Sequence, residues 1–540
     1  MTRPEPLKNR LPKHPILDFD WKRNIVHFKY NGKTIEAYEG ETIASALYAS
    51  GVRTFSYSFK YSRPRGLFCA TGKCCSCMMR VNGVPNVRTC VTRIHDGMVV
   101  QSQKYRPFFG LGRLALPFFR RFSGTRILPV GFHYRRFTKP RIIRKMFYWG
   151  MGMFAGMGKY PDYEKNESII KRKPLPTLEK EIVVIGGGPA GLQAALHAAQ
   201  AGAQVTLIDE NFVLGGQLVK QTHEFIESTR PEGVKRGIEI AREMAKAIQT
   251  NENIEIMLES QVVGIYEDNL LGVAIDKEFD QKFIKMKAQK VIVATGAYER
   301  FLSFENNDLP GVYGAVAVQT LMNRHGINPG RKALIVGSGN VGLILADQLM
   351  QGGVQVQAIV EVLPHIGGYP VYKSKVAQFE IPIYTTHSIK RAIGRKRVKG
   401  AIIHQVDKNG QKVPGTSKRI KCDMICLSVG QKPAFELLAQ ANAELIFIPE
   451  LGGHVPLRNE YLETTVAGLY AVGDVSGIEE VNAAIMEGRV AGISAAMALG
   501  KIPAETTQIL EETLRNLKEL RSAPFREKIR VGLVKAQIED

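Results

Sequence analysis

Apolar and polar residues alternate with period two in HFKYNGKTIEAYEG, His27 to Gly40, on both sides of the dipeptide Asn31-Gly32. Such alternation around a tight-turn pair predicts a β-hairpin. The next stretch, ETIASALYASG, changes to helical spacing and stops at Gly51, which predicts a short helix. Further on, one design occurs twice. EIVVIGGGPAGLQAALHAAQAGAQVTLIDE starts with an apolar strand, Ile182 to Ile185, passes through glycines into an alanine-rich helix, and ends in the strand VTLID. RKALIVGSGNVGLILADQLMQGGVQVQAIVE repeats the unit up to Glu361. KCDMICLSVG reads as a buried strand, and NAAIMEGRVAGISAAMAL as a helix. ILEETLRNLKELR is a second helix, whose apolar face predicts packing on a neighbouring domain or subunit.

At 540 residues and 44% hydrophobic content, the chain has room for roughly three or four globular domains. No apolar run reaches the ~18 to 20 residues of a bilayer-spanning helix. The first twenty residues, MTRPEPLKNRLPKHPILDFD, lack the apolar region of a secretory signal, so a reducing cytoplasmic location is expected. There, clustered cysteines point to metal rather than disulfides. Five of the seven cysteines fall in CATGKCCSCMMRVNGVPNVRTC. Cys69, Cys74, Cys77 and Cys90 have the spacing of a plant-type [2Fe–2S] cluster, with Gly72 in the loop whose amides face the sulfurs and Cys75 left over. A structural zinc site is the competing reading, but zinc modules usually present two tight cysteine pairs. Hairpin, helix and cluster loop in that order predict a small ferredoxin domain.

In the first repeated unit Gly186, Gly188 and Gly191 occupy the three positions of a dinucleotide fingerprint. The first allows the tight turn, the second lets a pyrophosphate approach the helix N-terminus, and the third lets helix pack on strand. Asp209 ends the following strand, where a carboxylate accepts the ribose hydroxyls, and Glu210 is the neighbouring alternative. In the second unit Gly337, Gly339 and Gly342 play the same parts and Glu361 is the acid. No arginine follows Glu361, so NAD or ATP is expected there rather than NADP. A fold that has lost its ligand is the competing reading at this second site.

KVIVATGAYER and TTVAGLYAVGDVSG resemble the strand-and-turn signatures of two-dinucleotide-binding flavoproteins. That resemblance makes the first nucleotide FAD. It implies FAD contacts from Gly186, Gly188, Gly191, Asp209 or Glu210, Gly216, Gln217, Thr295, Gly296, Gly473 and Asp474, and a helix after Asp474 whose N-terminal amides point at the flavin ring. The ferredoxin region, with SFKYSRPRGLFC, GFHYRRFTKP, GMFAGMGKYPDYE and ATGAYERFLSFENNDLPGVYG, resembles a wider family over nearly the whole chain, to about residue 500. This is the alpha-subunit family of heteromeric sarcosine oxidase, hydrogen cyanide synthase, opine oxidase and dye-linked L-proline dehydrogenase. The resemblance implies a plant-type ferredoxin (β-grasp) domain followed by two nested Rossmann-like domains. It also implies a hetero-oligomer, in which a flavoprotein beta subunit oxidises an amino acid or amine while this chain handles electrons. An FMN at the subunit interface belongs to the same set of expectations. Long members carry a folate domain and lack the cluster cysteines, which are present here. Shorter members often end in a second cysteine-rich cluster module, but no cysteine follows Cys426, so one cluster is expected. Cys422 and Cys426 lack the spacing of a redox dithiol.

The formal charge is +22, and Gly97 to Pro161 contains no acid while being rich in Arg, Lys and aromatic residues. No nucleic-acid-binding module surrounds it, so no nucleic-acid partner is expected. A basic, aromatic amphipathic anchor on the inner membrane face is one reading, giving peripheral contact. The preferred reading is a connector that docks partner subunits, since Arg and aromatic residues are enriched in interface cores. The expected layout is a ferredoxin domain at 1–103, a basic connector at 104–178, an FAD domain at 179–300 and 425–500, an inserted nucleotide domain at 301–424, and a helical tail at 501–540. Two functions fit this layout: an electron-transfer subunit of an amine dehydrogenase or oxidase, or a self-sufficient NADH:acceptor oxidoreductase. No convergent amine-oxidising His, Lys or Tyr set is visible in the sequence.

Overall fold

The computed structural model describes residues 9–11, 14–17, 19, 24–57, 63–103, 140–142, 175–225, 235–277 and 280–538. Apart from 140–142 and 175–178, the basic connector, including Arg135 and Arg136, lies outside the described residues. No helix among them is long and apolar enough to cross a membrane.

The first sheet has five strands. Its hairpin, Ile25–Tyr30 with Lys33–Tyr38, pairs from Ile25↔Tyr38 to Tyr30↔Lys33. Asn31 and Gly32 close it with φ of 49° and 85°, the positive pair that a two-residue turn between twisted strands requires. Val99–Ser102 runs parallel to Ile25–Tyr30, and Met78–Val81 and Val84–Arg88 complete the sheet. The helix Ile43–Ala49 starts at Thr42, whose hydroxyl accepts the Ser45 N–H while the Ser45 hydroxyl oxygen accepts that of Thr42. Every residue of this helix is buried. A helix buried all round needs a neighbour besides its own sheet. The Tyr48 hydroxyl donates to the Pro329 carbonyl at 2.8 Å and accepts from the Tyr313 hydroxyl at 2.5 Å, and one apolar core continues from Phe28, Leu47 and Met79 to Ala315, Leu321 and Leu345.

The second sheet is parallel at its centre, in the order Ile254–Met257, Val205–Ile208, Thr177–Ile185, Asp280–Val293, with Leu469–Ala471 also parallel to the last strand. The long strand Asp280–Val293 also pairs antiparallel with Leu270–Lys277, and Ser260–Tyr266 closes that edge. The third sheet is parallel throughout: Val312–Gly314, Met424–Leu427, Lys332–Val336, Gln355–Val360, Ile383–Tyr384. KCDMICLSVG thus supplies a strand buried at all four positions, and the expected 424/425 division falls at its first residue. A meander of His387–Gly394, Val398–Gln405 and Lys418–Ile420 lies beside it.

The helices Pro189–Gln200 and Asn340–Gln351 follow the two glycine loops. Val481–Met497 lies so close to the first of them that a Cβ on Gly488 would be 2.1 Å from the Ala190 carbonyl, and one on Gly492 2.3 Å from that of Ala194. The tail helix Ala504–Ser522 buries Thr506, Leu510, Thr513 and Leu517, the last against Ala483 and Met486. Its apolar face is therefore covered within this chain.

Candidate functional site

The cluster loop follows the short strand Pro64–Arg65, and Cys90 sits in the turn that begins at Thr89, directly after Val84–Arg88. Cys69, Cys77 and Cys90 are buried and Cys74 is half-buried, whereas Cys75 is exposed. The Cys69 sulfur accepts from the thiols of Cys74 and Cys90, and that of Cys77 from Cys90, which lowers both accepting thiols. The contacts link all four cysteines into one cluster of sulfurs, with Cys69 meeting both Cys74 and Cys90 and Cys77 meeting Cys90, the four thiolates that a two-iron cluster requires. No group of three or more His, Cys, Asp or Glu among the described residues is arranged to hold a single metal ion. The Gly72 N–H points at the Cys90 sulfur (3.1 Å) and that of Thr71 at Cys69 (3.4 Å). Gly72 has φ 78°, so only a residue tolerant of the left-handed region turns this amide inward. These residues fit a [2Fe–2S] cluster.

A cleft of about 1270 Å³ opens at the C-terminal ends of Thr177–Ile185 and Val205–Ile208. Gly186, Gly188, Asp209, Glu210, Gly216, Gln217, Thr295, Gly296, Gly473 and Asp474 all line it. Gly191 lies beneath, where a Cβ would be 1.8 Å from the Gly186 carbonyl, so it serves the helix–strand contact. A Cβ on Gly188, by contrast, would meet only the Gly216 Cα, at 4.0 Å. The space above Gly188 is open for a ligand, the property a pyrophosphate cradle needs. Asp209 accepts the Gly187 N–H at 2.5 Å and the Asn211 N–H at 2.6 Å, and burial raises its pKa. Glu210 turns away to Lys73 (2.5 Å) and Arg88 (3.5 Å) of the ferredoxin domain. Asp474 is half-buried at the cleft wall, and desolvation there raises it to about 7. Glu479, Glu480, Val481 and Asn482, at the start of Val481–Met497, line the same cleft. The residues present fit a flavin dinucleotide.

The second glycine loop repeats the first donor for donor. Ser338 N–H bonds Glu361 as Gly187 N–H bonds Asp209, and Leu363 N–H corresponds to Asn211 N–H. The Gly368 N–H reaches the Ser338 carbonyl at 2.9 Å, as Gly215 N–H reaches Gly187 at 2.8 Å. The paired-glycine turns Gly215-Gly216 and Gly367-Gly368 are thus a third shared element, which the matching spellings LGGQ and IGGY signal. Gly339 lines the cleft and has no atom within 4 Å of a built Cβ. A Cβ on Gly337 would lie 2.0 Å from the Ser428 carbonyl, and one on Gly342 2.2 Å from that of Gly337, so both positions are closely packed. Cys422 and Cys426 are buried, and burial pushes the Cys422 thiol up to about 12 and Cys426 well above its usual value, so neither is a ready nucleophile.

The fold also gathers a polar set absent from the sequence reading. Lys220, Glu299, Gln319, Thr320, Arg324 and His223 line the cleft from separate segments. Glu299 Oε2, Arg324 Nη2, Gln319 Oε1 and His223 Nδ1 are buried without a hydrogen-bond partner. Burial raises Glu299 to about 7 and lowers Lys220 to about 7, each acting on the other in opposition. Ala70, Thr71 and Cys90 of the cluster loop border this cleft too.

The family model described as pyridine nucleotide-disulphide oxidoreductase matches residues 180–488. The chain belongs to that family. A second model, the 2Fe-2S iron-sulfur cluster binding domain, matches residues 23–105. Over 524 residues the chain is 28% identical to the alpha subunit of sarcosine oxidase from Rhizobium meliloti (strain 1021), covering 93% of this chain and 47% of that protein. It therefore spans about half the length of the sarcosine oxidase subunits it matches. An opine oxidase subunit from Agrobacterium tumefaciens (strain Ach5) is 27% identical over 357 residues, covering 61% of this chain and 67% of that one. The crystal structure of L-proline dehydrogenase from P. horikoshii shares the fold, with a TM-score of 0.61 at 24% identity over 93% of this chain and 79% of that one. The resemblance to the alpha-subunit family, and the α/β fold with a ferredoxin domain in front, both hold.

Proposed function

We propose that this chain is the FAD- and [2Fe–2S]-containing electron-transfer subunit of a heteromeric amino-acid or secondary-amine dehydrogenase or oxidase, for proline, hydroxyproline, sarcosine, glycine or an opine. The substrate is oxidised in a partner flavoprotein subunit. The observation that carries this reading is one cleft bordered by both the FAD-type crevice and the cluster loop. When bound, the flavin supplies exchange between two-electron and one-electron chemistry, and the cluster a one-electron site.

The chain's own residues have separable parts. Asp209 holds the ribose, the open backbone at Gly188 and Gly216 admits the pyrophosphate, and Asp474 orients the ribityl end. Cys69, Cys74, Cys77 and Cys90 hold the irons, with the Thr71 and Gly72 amides tuning the sulfurs. Ion pairs Lys73–Glu210 and Arg93–Glu259 (2.7 Å) join the ferredoxin domain to the rim of the crevice. Gly339, the acid Glu361 and the 365–369 turn hold NAD or ATP, and FMN sits where the partner docks.

A second reading is a self-sufficient NADH:acceptor oxidoreductase. It is favoured by Gly339 and Asn340 of the second glycine loop lining the same cleft as Gly188. The deciding experiment is purification of the native assembly with its co-purifying chains, followed by dye reduction with NADH and with a panel of amino acids. Amine-driven reduction only in the assembly supports the heteromeric reading. Amine-driven reduction by this chain alone overturns it.

A further inference from the structure

Lys220 and Glu299 line the cleft that the cluster loop and the nucleotide crevice also border, and no step above uses them. Glu299 ends the strand Ala297–Glu299. One of its oxygens accepts the Val316 N–H at 2.8 Å. The other is buried without a partner, facing Gly314 so closely that a Cβ there would lie 2.1 Å away. Gly314 in turn donates its N–H to the Phe68 carbonyl at 3.0 Å, one residue before Cys69. Lys220 is 4% exposed, with Nζ 3.3 Å from the Thr320 hydroxyl and its own carbonyl held by Asn323 Nδ2 at 2.7 Å. Thr320 donates to the Val316 carbonyl at 2.8 Å, so towards Lys220 it acts as acceptor. The short helix Ala315–Gln319 and the π turn Thr320–Arg324 that continues it therefore hold both groups, Glu299 by a first-turn amide and Lys220 by Thr320. Single π turns inside helices occur often at functional sites.

We propose that Glu299, with Lys220 beside it, is the proton acceptor for electron transfer from the flavin to the cluster. This rests on the reading that both cofactors are present and exchange electrons. An anionic two-electron-reduced flavin carries one proton that its oxidised form does not. Its two electrons leave one at a time, each reducing one cluster iron from Fe(III) to Fe(II) and moving on to a one-electron carrier outside this chain before the next arrives. The flavin N–H bond breaks, an O–H bond forms on Glu299, and the proton passes to solvent once the electron has left. While the cluster holds its extra negative charge, the pair carries one extra positive charge. A buried carboxylate next to a buried ammonium suits this exchange, because burial brings both groups to titrate in the neutral range. The charged or titratable groups facing Glu299 are Lys220, with Arg324 behind it, Cys69 of the cluster loop and Cys426 of the neighbouring strand. The Ala315 and Val316 amides also face it.

The test is the midpoint potential of the cluster, followed by EPR between pH 6 and 8 in full-length holoprotein whose iron and FAD contents are measured first. In the unmodified protein the reduction equilibrium should shift with pH across this range, by up to tenfold per pH unit, which is 59 mV for one electron. Glu299→Gln keeps the Val316 hydrogen bond and should flatten that slope. Lys220→Met removes the neighbouring positive charge and should move the sloping region to higher pH. A flat potential in the loaded unmodified protein overturns this proposal alone, as does an undiminished slope in Glu299→Gln. A protein without iron or without FAD overturns the proposal and the reading beneath it together.

Discussion

Replacing Cys74 or Cys77 with serine removes one thiolate from a cysteine pair, and a two-iron cluster does not survive as before on three. The visible absorption and EPR signal of a [2Fe–2S] centre should disappear while FAD stays bound, because the core around Val184, Leu192 and Leu207 takes nothing from the cluster loop. Zinc without iron in the unmodified protein would refute the cluster assignment. Asp209 and Glu210 separate by the same logic. Asp209→Ala loses charge-assisted ribose hydrogen bonds worth about 1.5–3 kcal/mol, so FAD should bind roughly ten- to hundredfold more weakly. Glu210→Ala should leave FAD content unchanged, since its carboxylate faces Lys73 and Arg88. FAD content measured after gel filtration reads both. Cysteine and glycine spacing made these positions legible in the sequence because each motif lies within one short segment. Lys220, Glu299 and Arg324 were not legible, because their segments are tens of residues apart and only the fold brings them to one cleft.

The elements that carry chemistry were legible for a related reason: strand, glycine turn and helix follow one another directly, so periodicity and turn residues agree. Less visible were contacts between elements. The buried Glu487 in Val481–Met497 bonds Arg458 at 3.0 Å and Arg521 of the tail helix at 2.7 Å, and its other oxygen accepts the Gly473 N–H at 2.8 Å. One carboxylate thus ties the tail to the turn that carries Asp474. Burial alone would raise the Glu487 carboxyl, but Arg458 and Arg521 outweigh it and hold it at about 2, against 4.5 for an ordinary glutamate. A carboxylate depressed in the folded state stabilises the fold fully above its unfolded pKa. That contribution is lost as pH falls from about 4.5 toward 2. Thermal unfolding should show this acid-side loss in the unmodified protein. Glu487→Gln leaves the buried Arg458 guanidinium without its carboxylate, while Arg521 keeps Glu479 at 2.5 Å; it should cost about 3 kcal/mol near neutral pH and flatten the acid dependence. An unchanged melting temperature would mean the tail is held by its apolar contacts and by Arg521–Glu479 without help from Glu487.

At the scale of the molecule, the cluster loop and both glycine loops border one cleft, yet the ion pairs between the ferredoxin domain and the rest of the chain are partly exposed, a class worth only about 0–1 kcal/mol each. Docking therefore rests mainly on the buried helix Ile43–Ala49 and its Tyr48–Tyr313 contact. This arrangement supports electron relay within the chain, whereas amine oxidation needs a flavin ring that faces a substrate pocket. If the partner provides that pocket, the chain alone should fail to oxidise proline, sarcosine, glycine or an opine, and should regain amine-driven dye reduction when the partner is added. Arg135 and Arg136 belong to the acid-free basic stretch, and charge complementarity at an interface governs association. Reversing both charges should weaken assembly at least tenfold in a binding titration while leaving iron and FAD contents unchanged. Glu361→Ala should weaken the adenine nucleotide at the second site, read by nucleotide retention rather than turnover. Should the isolated chain reduce dye rapidly with NADH and bind no partner, the second glycine loop would be a hydride-donor site feeding the flavin, and the heteromeric reading would give way to the self-sufficient oxidoreductase.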